Sequence, residues 1–135
     1  MKYEVKFTPI DLQTWPRGQV FYYFSKMAPT GYSMTVDLDV TKMRISLKKA
    51  NQIPPANAYT VSCVPWISFQ HFAVHTYENK AYYFPSIEAG KFYEKDGKIM
   101  LPLSITCHHA ATDGYHVSCF LEALQSEMDV FEKYI

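Results

Sequence analysis

A long alternating segment in the C-terminal half of the chain constrains the fold more than any other feature. Asp96-Gly97 is the dipeptide that a two-residue type I′ turn favours, because both central residues of that turn need positive φ. Beyond the turn every second residue is apolar, namely Ile99, Leu101, Leu103, Ile105 and Cys107. Alternation with a period of two is typical of a strand that buries one face. The segment therefore predicts a hairpin of residues 91–95 and 98–107, whose second strand runs directly into His108 and His109.

Further elements are predicted on both sides of this hairpin. After Gly114, apolar residues recur at helical spacing, and these are Val117, Phe120, Leu121, Leu124, Met128, Phe131 and Ile135. Residues 18–28 predict a short aromatic helix, residues 33–40 alternate as a strand does, and residues 41–51 predict a helix capped by Thr41. Residues 58–64 and 67–74 are candidate strands, whereas residues 77–90 read as an aromatic loop without a clean period. Strands and helices together indicate the α/β class.

Composition limits the kinds of protein that this chain can be. Its 135 residues suit a single domain, 1–135, and 48% hydrophobic residues exclude a disordered chain. Thirteen basic and 13 acidic side chains give no net charge, so we expect small or uncharged partners and neither nucleic acid nor a membrane. The N-terminal residues are too charged for a secretory signal. The chain has three cysteines, Cys63, Cys107 and Cys119. An odd number of cysteines without CxxC spacing favours reduced thiols and a cytoplasmic location.

The string His108-His109-Ala-Ala-Thr-Asp113-Gly114 carries the chemistry. Adjacent residues of a strand point to opposite faces, so only one of the two histidines faces a given site. A histidine shielded at a strand end can stay neutral near pH 7 and take a proton from a hydroxyl or thiol. A metal site is not predicted, because His71 and His75 have the i, i+4 spacing of a helix in a segment that reads as strand.

The same string resembles the signature of chloramphenicol acetyltransferases and, more loosely, of other coenzyme-A-dependent acyltransferases. Four more blocks match that family in the same order: Trp-Pro-Arg at 15–17, Gly-Tyr-Ser-Met-Thr-Val at 31–36, Val-Ser-Cys-Val-Pro-Trp at 61–66 and Leu-Pro-Leu-Ser at 101–104. The resemblance implies acetyl transfer from acetyl-CoA to a hydroxyl of chloramphenicol or a similar small acceptor, hence antibiotic resistance. It also implies a homotrimer with active sites between subunits, and acetyl-CoA as co-substrate without a permanently bound cofactor. With the predicted elements, it indicates a two-layer sandwich of a mixed β-sheet with helices on one face.

The resemblance also implies roles for individual residues. His109 matches the family's general base, and Ser62 matches the serine that stabilises the oxyanion of the tetrahedral intermediate. Asp113 matches an aspartate that pairs with an N-terminal arginine, here Arg17, and this pair positions the loop that carries the base. The remaining matches are aromatic: Trp66 and Phe92 along the acetyl-CoA path, and Phe24 against the acceptor. For these aromatic residues a role in the core stays open.

Three departures from the family leave alternatives open. Thr112 replaces a cysteine, which is nearly isosteric, whereas Glu88 replaces a threonine near the transition state and favours another alcohol or thiol acceptor, such as a lipoyl-type thiol. The chain is also shorter than the family's, with a deletion joint predicted near 51–57 where a central block that forms much of the acceptor pocket is missing. The chain is therefore an acetyltransferase of chloramphenicol type, an acyltransferase with a different acceptor, or an inactive remnant that serves as a fold and oligomerisation module.

Overall fold

A computed structural model describes residues 8–47, 61–74 and 83–134. The helices are α1, Gly18–Tyr22, which continues as a wider π-type turn, Tyr23–Met27; α2, Thr41–Leu47; α3, Gly114–Asp129; and a terminal 3₁₀ turn, Phe131–Tyr134. The strands are β1, Gly31–Asp39; β2, Ser62–Cys63; β3, Ser86–Ala89; β4, Tyr93–Lys95; and β5, Lys98–His108.

The sheet is built around β5. Its order is β1-β5-β3-β2, and β4 pairs with β5 beside this path. The pairs that β5 makes are antiparallel, while β2 and β3 are parallel, so the sheet is mixed. The buried core lies on one face and includes Leu38, Leu103 and Ile105 from the strands and Val117 from α3. The predicted α/β sandwich with a mixed sheet and helices packed on one face is confirmed.

The hairpin has the geometry that Asp96-Gly97 predicts. Asp96 has φ 52° and Gly97 has φ 75°, and Lys95 pairs with Lys98 across the turn. Positive φ at both central residues matches the right-handed twist of the flanking strands. The turn therefore fixes the register in which β5 enters the sheet.

Two strand predictions are wrong. Residues 77–90 contain β3, a central strand that was predicted as loop, because Glu88 is buried on the face opposite Ile87 and hides the alternation. Residues 67–74 form no strand. The Phe72 backbone instead bonds side chains of the sheet: its carbonyl accepts from Ser104 Oγ, and its N–H lies 3.5 Å from Thr35 Oγ1.

Two further predictions need correction at their boundaries. Of the candidate strand 58–64 only Ser62–Cys63 is a strand among residues 61–64, and residues 58–60 lie outside the described ranges. Thr41 begins α2 but does not cap it, because its hydroxyl accepts from the Ile99 N–H at 2.8 Å. The Asp39 carboxylate takes the capping role and accepts from the Thr41 N–H at 3.1 Å.

An apolar cavity of about 570 Å³ lies between the sheet and α3. Its lining includes Ile87, Leu103 and Ile105 from the strands and Val117 and Leu124 from the helix. The sandwich is thus incompletely filled on its apolar face. The predicted joint at 51–57 itself lies outside the described residues. Among the helices that the structure describes, none has the length and apolar character needed to span a bilayer.

Candidate active site

The two adjacent histidines have different environments at the end of β5. His108 is the last residue of the strand and is only 4% exposed. Its Nδ1 accepts from the Ala110 N–H at 3.2 Å, and the Tyr83 ring packs edge-on at 5.0 Å. Burial lowers the pKa of His108, so this imidazole stays neutral and serves the packing of the strand end.

His109 is held by aromatic contacts. Its ring stacks on Phe24 with 4.2 Å between ring centroids and 3° between the planes, and Tyr32 lies 5.2 Å away. The backbone is fixed as well, since the His109 N–H donates to the Thr30 carbonyl at 2.8 Å. Nδ1 is buried and has no hydrogen-bond partner among the described residues. Because the residue is only half-buried, we infer that Nε2 is the ring nitrogen left to contact a ligand.

Arg17 connects the N-terminal segment to the loop after β5. Its Nη1 forms an ion pair with Asp113 Oδ2, and its Nη2 donates to the His109 carbonyl oxygen at 3.3 Å. One guanidinium therefore joins the carboxylate and the backbone of the histidine, across more than 90 residues of sequence. Planar guanidinium groups suit such two-point contacts. The structure brings Arg17, Asp113 and His109 together; their catalytic roles stay predictions.

Asp113 also begins α3. Its Oδ1 accepts from the backbone N–H of His116 at 3.3 Å and lies 2.6 Å from His116 Nδ1. The hydrogen bond from the His116 side chain is the largest cause that lowers the pKa of Asp113 to about 2, and the Arg17 charge adds a smaller contribution. The carboxylate is thus ionised at neutral pH, with one oxygen toward Arg17 and the other toward His116.

Thr112 occupies the predicted cysteine position next to this carboxylate. Its Oγ1 accepts from the Tyr32 hydroxyl at 3.1 Å. Burial is the main reason why the pKa of Tyr32 is raised, so the phenol remains a donor at neutral pH. Thr112 therefore ties the loop to β1.

Ser62 lies apart from His109 within one chain. Ser62 pairs with Glu88 across β2 and β3, and Glu88 pairs with Ser104 across β3 and β5. Ser62 and Ser104 are thus two strand spacings apart, and Ser104 precedes His108 by four residues along β5. Combining the spacing between strands with the rise per residue places the Cα atoms of Ser62 and His108 about 16 Å apart. Ser62 is exposed, and the structure does not bring it together with His109 within one chain.

Glu88 is a buried carboxyl beside Ser62. It is 2% exposed, and its Oε1 accepts from the Ser86 hydroxyl. Its Oε2 is buried without a hydrogen-bond partner in the described part of the chain. A buried polar atom without a partner is costly, so this oxygen is suited to a donor from a ligand or a neighbouring chain.

Trp66 and Phe92 lie far from His109 but close to each other in the fold. A backbone hydrogen bond of 2.8 Å from the Lys91 N–H to the Ile67 carbonyl joins the segments that carry them. Phe92 directly precedes β4, which pairs with the start of β5, whereas His109 follows the end of β5. Trp66 is 80% exposed and free to contact a ligand. In residues 8–47, 61–74 and 83–134, no group of three or more His, Cys, Asp or Glu side chains is placed to hold a metal ion.

Comparison with protein families shows the family to which the chain belongs. The family model described as chloramphenicol acetyltransferase matches residues 5–54 and 49–125. The chain belongs to the chloramphenicol acetyltransferase family. The two matched stretches overlap at residues 49–54, and this overlap includes the first part of the predicted joint at 51–57.

Individual members of the chloramphenicol acetyltransferase family show how much of each chain is shared. The chain is 41% identical to a chloramphenicol acetyltransferase of Staphylococcus aureus over 92 residues, which cover 67% of this chain and 43% of the relative. A relative from Vibrio anguillarum is 24% identical over 202 positions, covering 90% of this chain and 94% of the relative. A solved chloramphenicol acetyltransferase structure superposes with a TM-score of 0.77 at 16% identity, over 90% of this chain and 97% of that one, and so shares its fold.

These alignments also show the missing block. The chain spans only 37% to 43% of the length of several curated relatives that it matches at higher identity. The 202 positions of the Vibrio anguillarum alignment exceed this chain's 135 residues by 67, so at least that many positions of the relative have no counterpart here. A shortened form of the family fold accounts for both observations.

His116 is the site residue that sequence reasoning missed. A signal was available: Asp113 and His116 stand three residues apart at the start of α3, the spacing at which the N-cap side chain bonds the third helical residue. The usual form of this motif has Glu or Gln at the third position, so the histidine was not identified.

Proposed function

We propose that the chain is an O-acetyltransferase that moves an acetyl group from acetyl-CoA to a hydroxyl of chloramphenicol or a similar small acceptor, with His109 as general base. The observation that carries this proposal is the fixed imidazole of His109. Its ring stacks on Phe24, its carbonyl oxygen accepts from Arg17, and its Nδ1 is buried. Such a ring presents one nitrogen in one direction, which is the requirement for a general base.

The chemistry follows from this geometry. Nε2 of His109 takes the proton of the acceptor hydroxyl as the oxygen attacks the thioester carbonyl of acetyl-CoA. The tetrahedral intermediate carries a negative oxygen, for which the Ser62 hydroxyl is the proposed donor; loss of one such donor usually costs about 10²–10³ in rate. The intermediate then expels the thiolate of CoA, which receives the proton from the imidazolium. The products are the acetyl ester and CoA, and His109 is neutral again.

We further propose a homotrimer in which each active site lies between two subunits. The separation of about 16 Å between Ser62 and His108 within one chain supports an intermolecular site, since an oxyanion donor must lie near 3 Å from the reacting oxygen. Family membership supports the same arrangement. Dilution would then lower the specific activity as the subunits separate.

The aromatic residues complete the proposed site. Phe24 stacks on His109, so an acceptor that reaches Nε2 passes close to its ring. Trp66 and Phe92 lie on neighbouring exposed segments, which suits the pantetheine and adenosine parts of acetyl-CoA. No permanently bound cofactor is part of the proposal. Use of acetyl-CoA and three free cysteines, Cys63, Cys107 and Cys119, agree with a cytoplasmic enzyme that confers chloramphenicol resistance.

The direct test is product formation by the purified chain. The chain is incubated with acetyl-CoA and chloramphenicol, and acetylated chloramphenicol is measured by mass spectrometry beside released CoA thiol. We expect both products in equal amounts. Thiol release at the rate of buffer alone would refute the proposed activity.

Glu88 favours a second candidate, an acyltransferase with a different alcohol or thiol acceptor. Its unpartnered Oε2 lies next to Ser62 in the sheet register, and an acceptor with an additional hydrogen-bond donor satisfies that oxygen. An acceptor screen separates the candidates. Amino alcohols or dithiols turned over in preference to chloramphenicol support the second, and strong preference for chloramphenicol refutes it.

The missing block favours a third candidate, a non-catalytic remnant that folds and oligomerises. The apolar cavity of about 570 Å³ between the sheet and α3 shows that this fold is not fully packed on its core side. This candidate predicts an oligomer by light scattering without turnover of any acceptor. Measurable turnover would eliminate it.

A further inference from the structure

The contacts of His116 extend the group that holds the base. Its Nδ1 lies 2.6 Å from Asp113 Oδ1, and its backbone N–H bonds the same oxygen at 3.3 Å. The other oxygen, Oδ2, is paired with Arg17. The carboxylate of Asp113 is therefore bonded at both ends, and it cannot rotate without breaking one of these contacts.

This rotation matters because Arg17 bonds two groups at once. Nη1 contacts the carboxylate, and Nη2 donates to the carbonyl oxygen of His109 at 3.3 Å. A rotated carboxylate takes Nη1 with it and moves Nη2 away from that carbonyl. Through Arg17 and Asp113, the carbonyl oxygen of His109 is thus linked to a contact made seven residues later in the chain.

The environment of His116 suits such a role. Its side chain is 45% exposed, and the residue also lines the apolar cavity beside α3. At 2.6 Å its Nδ1 is close enough to Asp113 Oδ1 for a short hydrogen bond, and this bond is also the largest cause of the lowered pKa of that carboxyl. Hydrogen bonds to an ionised carboxylate are about twice as strong as neutral ones.

We propose that His116 is a positioning residue for the acetyl-transfer reaction: through Nδ1 it orients Asp113, and through Asp113 and Arg17 it aligns the backbone that carries His109. It rests on the proposed function insofar as His109 is the base. The proposal about His116 goes beyond that function. It assigns His116 a role in the rate of the chemical step without contact between His116 and the substrate.

Three substitutions separate positioning from a general effect on the fold. His116→Asn places an amide N–H close to the position of Nδ1, His116→Gln places it one bond further out, and His116→Ala removes it. His71→Ala is the matched control, since His71 is an exposed histidine outside the site. Each variant is assayed for kcat and KM by CoA thiol release, and its Tm is measured.

We expect kcat to fall about tenfold or more in His116→Ala and His116→Gln, because small misplacements of a base cost up to about 10²-fold. KM should stay within about twofold, and His116→Asn should recover kcat to within about threefold of wild type. Combining His116→Ala with Arg17→Gln should be no slower than Arg17→Gln alone, because both act through the same contact. Wild-type kcat in His116→Ala would overturn the proposal. The proposal would also be overturned if His116→Asn lost as much kcat as His116→Ala and both variants showed the same decrease in Tm.

A second readout does not depend on activity. The ring protons of His109 lie over Phe24, so proton NMR should show them shifted upfield in the wild type and in His116→Asn. The upfield shift should shrink in His116→Ala. If the wild type proves inactive, the proposed function fails, and this shift still decides the positioning role: unchanged shifts in His116→Ala refute it.

Discussion

Replacing Phe24 with leucine tests whether stacking orients the proposed base. The ring centroids of Phe24 and His109 are 4.2 Å apart, and the planes differ by 3°. A stacked aromatic pair is worth about 0.5–1.5 kcal/mol beyond its buried area. If the imidazole reacts only in the stacked orientation, loss of this energy lowers kcat by a factor of about 2–13.

The assay is steady-state CoA thiol release with both substrates saturating. Phe24→Leu keeps an apolar side chain but loses the stack, and Phe24→Tyr keeps the ring, so only the leucine variant should lose the predicted factor. Tyr22→Leu is the control, because Tyr22 is an exposed aromatic residue two positions before Phe24, at the end of α1. A leucine variant with wild-type kcat and unshifted His109 ring signals would refute the reasoning.

The remaining predictions concern stability. Asp113 has a pKa lowered to about 2, so the stability that its ionised form contributes is complete above about pH 4 and is lost as the pH falls through about 2. The Tm difference between wild type and Asp113→Asn should therefore shrink over that interval, and a constant difference would contradict the assignment. Gly97 has φ 75°, so Gly97→Ala should destabilise the chain by about 1 kcal/mol in urea unfolding, while Ser126→Ala on the exposed face of α3 should change little.

The elements that sequence patterns predicted are those whose signals are local. The turn at Asp96-Gly97 depends on the backbone of two residues, and the alternation along β5 depends on one buried face. Both signals can be recognised without knowing the rest of the fold, because positive φ and a period of two are properties of the segment itself. The long helix α3 was visible for the same reason.

The misread segments depend on partners elsewhere in the chain. β3 is only four residues long and buries Ile87 on one face and Glu88 on the other, so no period is visible. Residues 67–74 look like a strand in composition, but their backbone bonds side chains on the sheet. Tertiary contacts overrode the local preference in both cases.

The candidate site was predictable only in part. Family resemblance placed Arg17, Asp113 and His109 in one group, and the structure brings them together. It could not show that Ser62 lies about 16 Å from His108 in one chain, since register is a tertiary property. His116 was missed because its side chain bonds the side chain of Asp113, whereas the Glu or Gln of the usual motif bonds the backbone N–H of the N-cap residue.

The rate of acetyl transfer by His109→Gln tests the central claim most directly. The substitution keeps a polar side chain of similar size but removes the imidazole that takes the proton. If His109 is the general base, thiol release should fall by about 10²-fold or more, while Tm stays close to that of the wild type. Equal rates for the two proteins would contradict it.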